Sequence, residues 1–302
     1  MNLSARDIMN DIARSNSVLK AIEGVEAEKL KDTLLNMLIQ IDEACKRYNV
    51  EFCIAYGSAL GAYRHNDFIP WDDDVDICMT REEWNVFVKF FEQELGEYYV
   101  LEAPNYGDKD PKVVWGKIYL KDSLLEEVQD VSAPYNKGIF IDVFIVDGVS
   151  NNKIIRKLDN FIINWMKAIA TSQVYYMYPN KLMEQFMGGT ISTKLYYKAR
   201  KFIGFAFSWV SHKKWCSLFD KYVSRHKNSD YVTVSTGWYL DEIVKRNDWK
   251  PYDRAIFRGV EFNVPKNISN YLEKNYGKNY MQIPPPNKRE RHFVVNLKFP
   301  NA

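Results

Sequence analysis

The chain has 302 residues, 46% of them apolar, which is ample for a packed core and predicts an ordinary globular protein. Lys plus Arg number 41 against 39 Asp plus Glu, so no global field draws the molecule to nucleic acid, and no nucleic acid partner is expected. No stretch approaches the roughly 18 uninterrupted apolar residues of a membrane span, and MNLSARDIMNDIARS lacks an apolar run behind basic residues, so neither a span nor a secretory signal is predicted.

Residues 3 to 48 carry apolar positions at helical spacing, notably Leu30, Leu34, Leu35, Leu38 and Ile41, which predicts two amphipathic helices separated near Gly24. From 51 to 147 the pattern shifts to short apolar runs, Phe52 to Tyr56, Val75 to Met79, Tyr98 to Leu101, Val113 to Leu120 and Ile139 to Val146. Helices are predicted near 58 to 64 and 81 to 95, giving a mixed sheet with helices packed on it. Helical signals return over 151 to 230. Strand candidates at Tyr231 to Ser235, Ala255 to Phe257 and Val260 to Val264 follow, with a helix near 267 to 275 and the punctuated segment Ile283-Pro284-Pro285-Pro286-Asn287-Lys288-Arg289. The expected organisation is therefore 1–50 N-terminal helices, 51–150 a mixed sheet with packed helices, 151–230 a helical accessory subdomain, and 231–302 C-terminal strands and a helix. The expected class is α+β. Cys45, Cys53, Cys78 and Cys216 are scattered with no C-x-x-C pair, and read as buried free thiols of a reducing compartment rather than zinc ligands.

The chemistry concentrates in Trp71-Asp72-Asp73-Asp74-Val75-Asp76. In a strand, alternate side chains share a face, so Asp74 and Asp76 would point one way, Asp72 would extend the set if the strand geometry already holds, and Asp73 would point away. Two hard carboxylates on one face suit magnesium or manganese, and their mutual repulsion calls for a cation. Alone, such a run is more often a solvated acidic turn. Upstream, however, Gly57-Ser58 follows an apolar strand and opens a helix, where backbone N–H groups and a hydroxyl can face an anion. By itself Gly57-Ser58 would be an ordinary helix cap; the order strand, Gly-Ser, helix, acid pair joins a phosphate cradle to a metal pair. Asp142, a lone acid inside the apolar run Gly138-Ile139-Phe140-Ile141-Asp142-Val143-Phe144, is the candidate third ligand and the group that would assist deprotonation of an acceptor hydroxyl.

These motifs, Tyr56-Gly57-Ser58-Ala59-Leu60-Gly61-Ala62-Tyr63-Arg64-His65, then Phe68 to Asp76, then Gly138 to Phe144, together resemble the LicD family of phosphocholine transferases, relatives of the fukutin-related glycan phosphotransferases. The close match covers about residues 50 to 148, with a weaker echo at 284 to 292. The resemblance implies a nucleotidyltransferase-like mixed sheet flanked by helices, with a mostly helical accessory region. It implies transfer of phosphocholine, or a similar phosphoalcohol, from a CDP-alcohol such as CDP-choline to a sugar hydroxyl of a cell-surface glycan or teichoic acid precursor, releasing CMP. Asp72, Asp74, Asp76 and Asp142 match the family's acids and would hold two Mg2+ or Mn2+ ions, with Asp74, Asp76 and Asp142 catalytic. Gly57, Ser58, Arg64, Lys117, Lys288 and Arg289 are the candidate contacts to donor phosphate and nucleotide. Tyr119 stands where the family reads arginine, which puts a phosphate contact there in doubt.

Residues 194–214 read KLYYKARKFIGFAFSWVSHKK, aromatics flanked by Lys and Arg, suited either to an interfacial helix on an anionic leaflet or to a buried helix with a basic end. The expected setting is cytoplasmic, peripheral on the inner face of the cell membrane, with an acceptor glycan that can be lipid-linked. Two other readings compete: nucleotidyl transfer to a small molecule, and a catalytically inactive glycan-binding relative.

Overall fold

The computed structural model describes residues 22–237, 239–285, 289, 292 and 294–300. The helix expected before Gly24 lies outside the described residues, as do Lys288 and Arg291. In chain order, helix α1 (Gly24–Arg47) leads into strand β1 (Cys53–Ile54), α2 (Tyr56–His65), β2 (Asp76–Thr80), α3 (Arg81–Leu95), β3 (Tyr99–Glu102), β4 (Gly116–Leu120), β5 (Leu124–Glu127) and β6 (Phe140–Val149). Four helices follow, α4 (Lys153–Met177), α5 (Lys181–Met187), α6 (Ile191–Ala206) and α7 (His212–Val223). The chain then forms β7 (Tyr231–Val234), β8 (Val244–Lys245), α8 (Arg246–Trp249), β9 (Asp253–Phe257), β10 (Val260–Val264), α9 (Ile268–Tyr276) and β11 (Val294–Lys298). The class is α+β, as the alternation of short apolar runs and helical stretches predicts.

The main sheet runs β1-β2-β6-β4-β3, with β7 and β8 added along the far half of β6. Its one parallel pair is β2 with β6; all other neighbours are antiparallel. β6 is the spine. Its first residues pair with β4 and its last with β7, so ten residues serve three neighbours. β5 and β11 form a separate antiparallel ribbon that joins residues far apart in the chain.

The alternation along β2 and β6 sorts core from site. Ile77, Met79, Ile141, Val143 and Ile145 enter the main core with α1 and α3, where Phe87 and Phe91 are fully buried. Each such aromatic contributes on the order of 2 to 3 kcal/mol. Asp76 and Asp142 belong to the other alternation, with Cys78 and Phe144, which pack in a second core beside α2, Trp249 and Tyr271. β2 turns directly into α3 through a capping box: the Thr80 hydroxyl accepts from Glu83 N–H while the Glu83 carboxylate accepts from Thr80 N–H at 3.1 Å. That junction sets the strand's register without a loop. All four cysteines are buried free thiols.

Helices α4 and α6 pack against each other where Gly204 meets the backbone of Ser172; a Cβ at Gly204 would collide with the Ser172 carbonyl oxygen. Asn180, between α4 and α5, donates to the Val128 carbonyl at 2.6 Å and so ties the helical region to the end of β5.

Candidate active site

The parallel pairing of β2 and β6 places Asp76 opposite Asp142, and the antiparallel pairing of β6 and β4 places Lys117 opposite Asp142. Three side chains from residues 76, 142 and 117 therefore stand abreast on one face of the sheet. Lys117 Nζ is 2.7 Å from Asp142 Oδ1, and the Trp115 indole N–H donates to the same oxygen at 2.7 Å. Lys117 also lies 3.3 Å above the Phe140 ring. Lys117, expected to meet a pyrophosphate, is buried and engaged with Asp142 and Phe140, because the β6–β4 register sets it opposite Asp142.

The acid run itself is not strand until Asp76. Residues 72 to 75 approach the sheet as an irregular segment, Val75 plugging the core. This changes the expected alternation. Asp73, predicted to point away, turns inward and its Oδ1 lies 2.8 Å from His292 Nδ1. His292 Nε2 reaches within 3.6 Å of Asp74 and 3.8 Å of Glu127. Asp73, Asp74 and His292 form a set whose ligand atoms all lie within 4.8 Å of one another. Asp72 lies beside Asp74 and backs onto Gly57, where a Cβ would come within 2.7 Å of its Oδ2. A methyl at Gly57 thus meets the carboxylate beside it, and Gly57→Ala is expected to displace Asp72 and reduce, by about half or more, the thermal stabilisation that added magnesium produces, read by differential scanning fluorimetry.

Ser58 sits in the first turn of α2, and its hydroxyl accepts the Asp76 N–H at 3.0 Å, which clamps the start of β2 to the helix. The first-turn amides of α2 have no intrahelical acceptor, so this end of the helix favours an anion. Tyr56, at the strand-to-helix junction, holds a left-handed φ of 43°, unusual for a large side chain. Tyr271 Oη accepts its N–H at 3.1 Å and its own hydroxyl donates to Glu242 at 2.7 Å, so tertiary contacts impose that conformation. Arg64, at the far end of α2, donates to the Tyr280 carbonyl at 2.8 Å and holds the C-terminal segment against the core. Arg289 stacks 4.3 Å above the Trp71 ring beside the acid run.

Burial dominates the electrostatics of the cluster. Burial raises Asp72 well above the usual carboxylate range, with Asp74 and Asp73 adding to the effect. Burial also raises Asp76 strongly, reinforced by Asp74, Asp142 and Asp72. Asp74 is pushed up to about 6 by burial, His292 and Lys117 offsetting part of the push from Asp73 and Asp142. His292 would be lowered by burial, but Asp73 and Asp74 lift it well above its ordinary value. Burial would raise Glu127 too, yet Lys112 and His292 hold it below its ordinary range. Lys112 binds Glu127 at 3.0 Å and Asp130 at 2.6 Å. Clustered carboxylate oxygens have the donor chemistry of a magnesium or manganese site; among the described residues the acids whose ligand atoms converge are Asp73 and Asp74, with His292, while Asp72, Asp76 and Asp142 lie beside them.

A cleft of about 570 Å3 opens beside this cluster, between the start of α1 and the acid run, lined among others by Glu28, Lys31, Trp71, Asp72, Asp73 and His292. A second cavity, about 380 Å3, lies by α9 and contains none of the candidate residues. The tertiary structure adds His292, Glu127, Lys112 and Trp115 to the residues read from the motifs. Only His292 carried any signal, as the end of the proline-rich basic segment.

Residues 49–173 match the model of the LicD/FKTN/FKRP nucleotidyltransferase domain. Over 268 residues the chain is 28% identical to the lipopolysaccharide cholinephosphotransferase LicD of Haemophilus influenzae, covering 86% of this chain and 93% of that protein. A 57-residue stretch is 35% identical to an uncharacterised Rickettsia typhi protein, covering 19% of this chain and 18% of that one.

Proposed function

The chain belongs to the LicD family, and on that premise we propose that it transfers phosphocholine, or a closely similar phosphoalcohol, from a CDP-alcohol to a sugar hydroxyl of a cell-surface glycan precursor in the cytoplasm, releasing CMP. The observation that carries the reading is the pairing of Asp76 with Asp142 on adjacent parallel strands, with Asp72 and Asp74 leading into the same end of the sheet. In this reading residues 51–150 are the catalytic core, 231–302 complete its cleft through His292, and 151–230 are accessory.

Asp72, Asp74, Asp76 and Asp142 would hold the divalent cations, which when bound neutralise phosphate charge and acidify a nearby hydroxyl. The rest falls to the protein's own groups. The first turn of α2, at Gly57 and Ser58, orients the donor phosphates through its amides. Arg289 brings a delocalised cation to the mouth of the cleft over Trp71. Asp142, oriented by Trp115 and Lys117, takes the proton of the acceptor hydroxyl as it attacks the phosphorus that bears the alcohol. Lys117 thereby positions a carboxylate instead of meeting the pyrophosphate.

A thermal-shift panel of cytidine, uridine and guanosine diphospho-alcohols, with and without magnesium, tests donor and metal together. CDP-choline at about a hundred times its Kd is expected to add about 2.7 kcal/mol of stability only when magnesium is present. Incubation with acceptor should then release CMP. A nucleotide deposited on the acceptor would replace this reading with nucleotidyl transfer, and no donor-dependent product at all would favour an inactive glycan-binding relative.

A further inference from the structure

Among the described residues, helix α6 buries one face and leaves the opposite one bare. Thr193, Tyr197 and Gly204 pack inward, spaced four and seven residues apart. Ile191, Leu195, Phe202 and Phe205 recur at intervals of four, seven and three on the outer side, and Trp209 extends the line past the helix end. Exposure is high for side chains of this size, 88% at Ile191, 68% at Phe202 and 77% at Trp209. The first half of α4 repeats the pattern with Ile154, Leu158, Phe161 and Trp165. The two stripes meet where Trp165 packs on Phe207 at 6.0 Å and Tyr176 on Phe205 at 5.6 Å. This is one apolar surface, larger than scattered exposed residues explain.

Its charge is one-sided. Helices α4 and α6 hold a single carboxylate between them, Asp159, which is buried and bound by Arg225, by Tyr222 at 3.1 Å and by His226 at 3.2 Å. Lys153, Lys157, Lys194 and Lys198 are exposed along the same stripes. Among the described residues no helix is long and apolar enough to cross a membrane. A second copy of the chain fits poorly, because a twofold contact would press these lysine rims together. The segment 208 to 214 does not share the surface throughout, since His212 is buried and Cys216 follows it into a core with Val149 and Phe219.

We propose that the outer faces of α4 and α6 seat the protein on an anionic phospholipid surface, aromatics entering the headgroup region and lysines pairing with lipid phosphates. The helices that carry the seat are tied to the strand beside the reaction site. Asn180, between these helices, is hydrogen-bonded to the residue that follows Glu127, whose carboxylate faces His292. A membrane-borne acceptor would thus lie on the side of the molecule that carries β5.

The test is sedimentation of the full chain with vesicles of phosphatidylcholine alone and of phosphatidylcholine mixed equally with phosphatidylglycerol, with no donor or acceptor present, so that it stands apart from catalysis. Binding to the mixed vesicles is expected to be about tenfold or more tighter than to neutral ones. Phe202→Ser with Trp209→Ser should weaken it by about tenfold or more, and Lys194→Glu with Lys198→Glu should remove the preference for anionic lipid, both with unchanged melting. Equal affinity for the two vesicles, unaltered binding by the folded variants, or a dimer in light scattering that the Phe202 and Trp209 changes dissolve would each overturn the proposal.

Discussion

Asp142→Asn is expected to lower turnover at saturating donor by about a thousandfold, equivalent to about 4 kcal/mol of transition-state stabilisation. Asparagine keeps the shape and still accepts from Trp115, so what is lost is the charge that, in the proposed reaction, would act as base and cation ligand. The same change strips Lys117 of its counter-charge, and Lys117 is buried. A loss of stability of about 3 kcal/mol should therefore accompany the kinetic loss, through the cost of an unpaired buried ammonium. Adding Lys117→Met separates the two. The double variant should regain most of the stability by denaturant titration while turnover stays low. If the single variant kept more than about a tenth of its activity, Asp142 would be a structural acid only, and the catalytic assignment would fail.

The largest expected effect on folding lies at Arg81, which closes the junction between β6, α3 and α7. Its Nε and Nη2 donate to both oxygens of Asp147 at 2.7 and 2.8 Å, and its Nη1 donates to Asp220 at 2.7 Å. Asp147 is fully buried, and burial keeps its carboxyl above the ordinary range even with Arg81 beside it. Arg81→Met leaves that carboxylate without its partner and is expected to cost about 3 to 5 kcal/mol. Lysine should not rescue it, since a single ammonium cannot make the forked contact. The loss should also depend on pH with a definite sign. A folded-state pKa raised above the unfolded value gives stability that is present at low pH and lost as pH rises through the folded value. Removing Arg81 raises Asp147 further, so the variant's deficit should be smaller near about pH 5 than near about pH 8. Replacing Asp147 by asparagine in the Arg81→Met background should recover part of the loss, because no buried charge then remains there. An equal deficit at both pH values would mean that packing, not the carboxylate, sets the cost.

The local chemistry of this protein was legible along the chain. The strands of the core, the helices 24–47 and 81–95 and the buried thiols follow from periodicity, which depends on neighbours a few residues away. The motifs also placed Gly57, Ser58, Asp72, Asp74, Asp76 and Asp142 in one neighbourhood, since a strand, a helix start and an acid pair in that order leave few ways to fold. Strands β5, β8 and β11 were not legible: β8 is two residues long, and β5 and β11 are ordered by pairing with each other across more than half the chain.

What only the tertiary structure decided is which charges face which. The irregular approach of residues 72 to 75 turned Asp73 toward His292, an imidazole 219 residues away, where strand alternation had pointed it outward. The β6–β4 register gave Lys117 to Asp142, and the loop before β4 brought Lys112 to Glu127 and Asp130. Counter-charges are chosen by burial and register across the sheet, and a chain's own periodicity carries no record of either. The same holds for the bare faces of α4 and α6, whose aromatics have the spacing of core residues. Whether a stripe of that spacing is covered is settled by which elements the rest of the fold leaves to cover it.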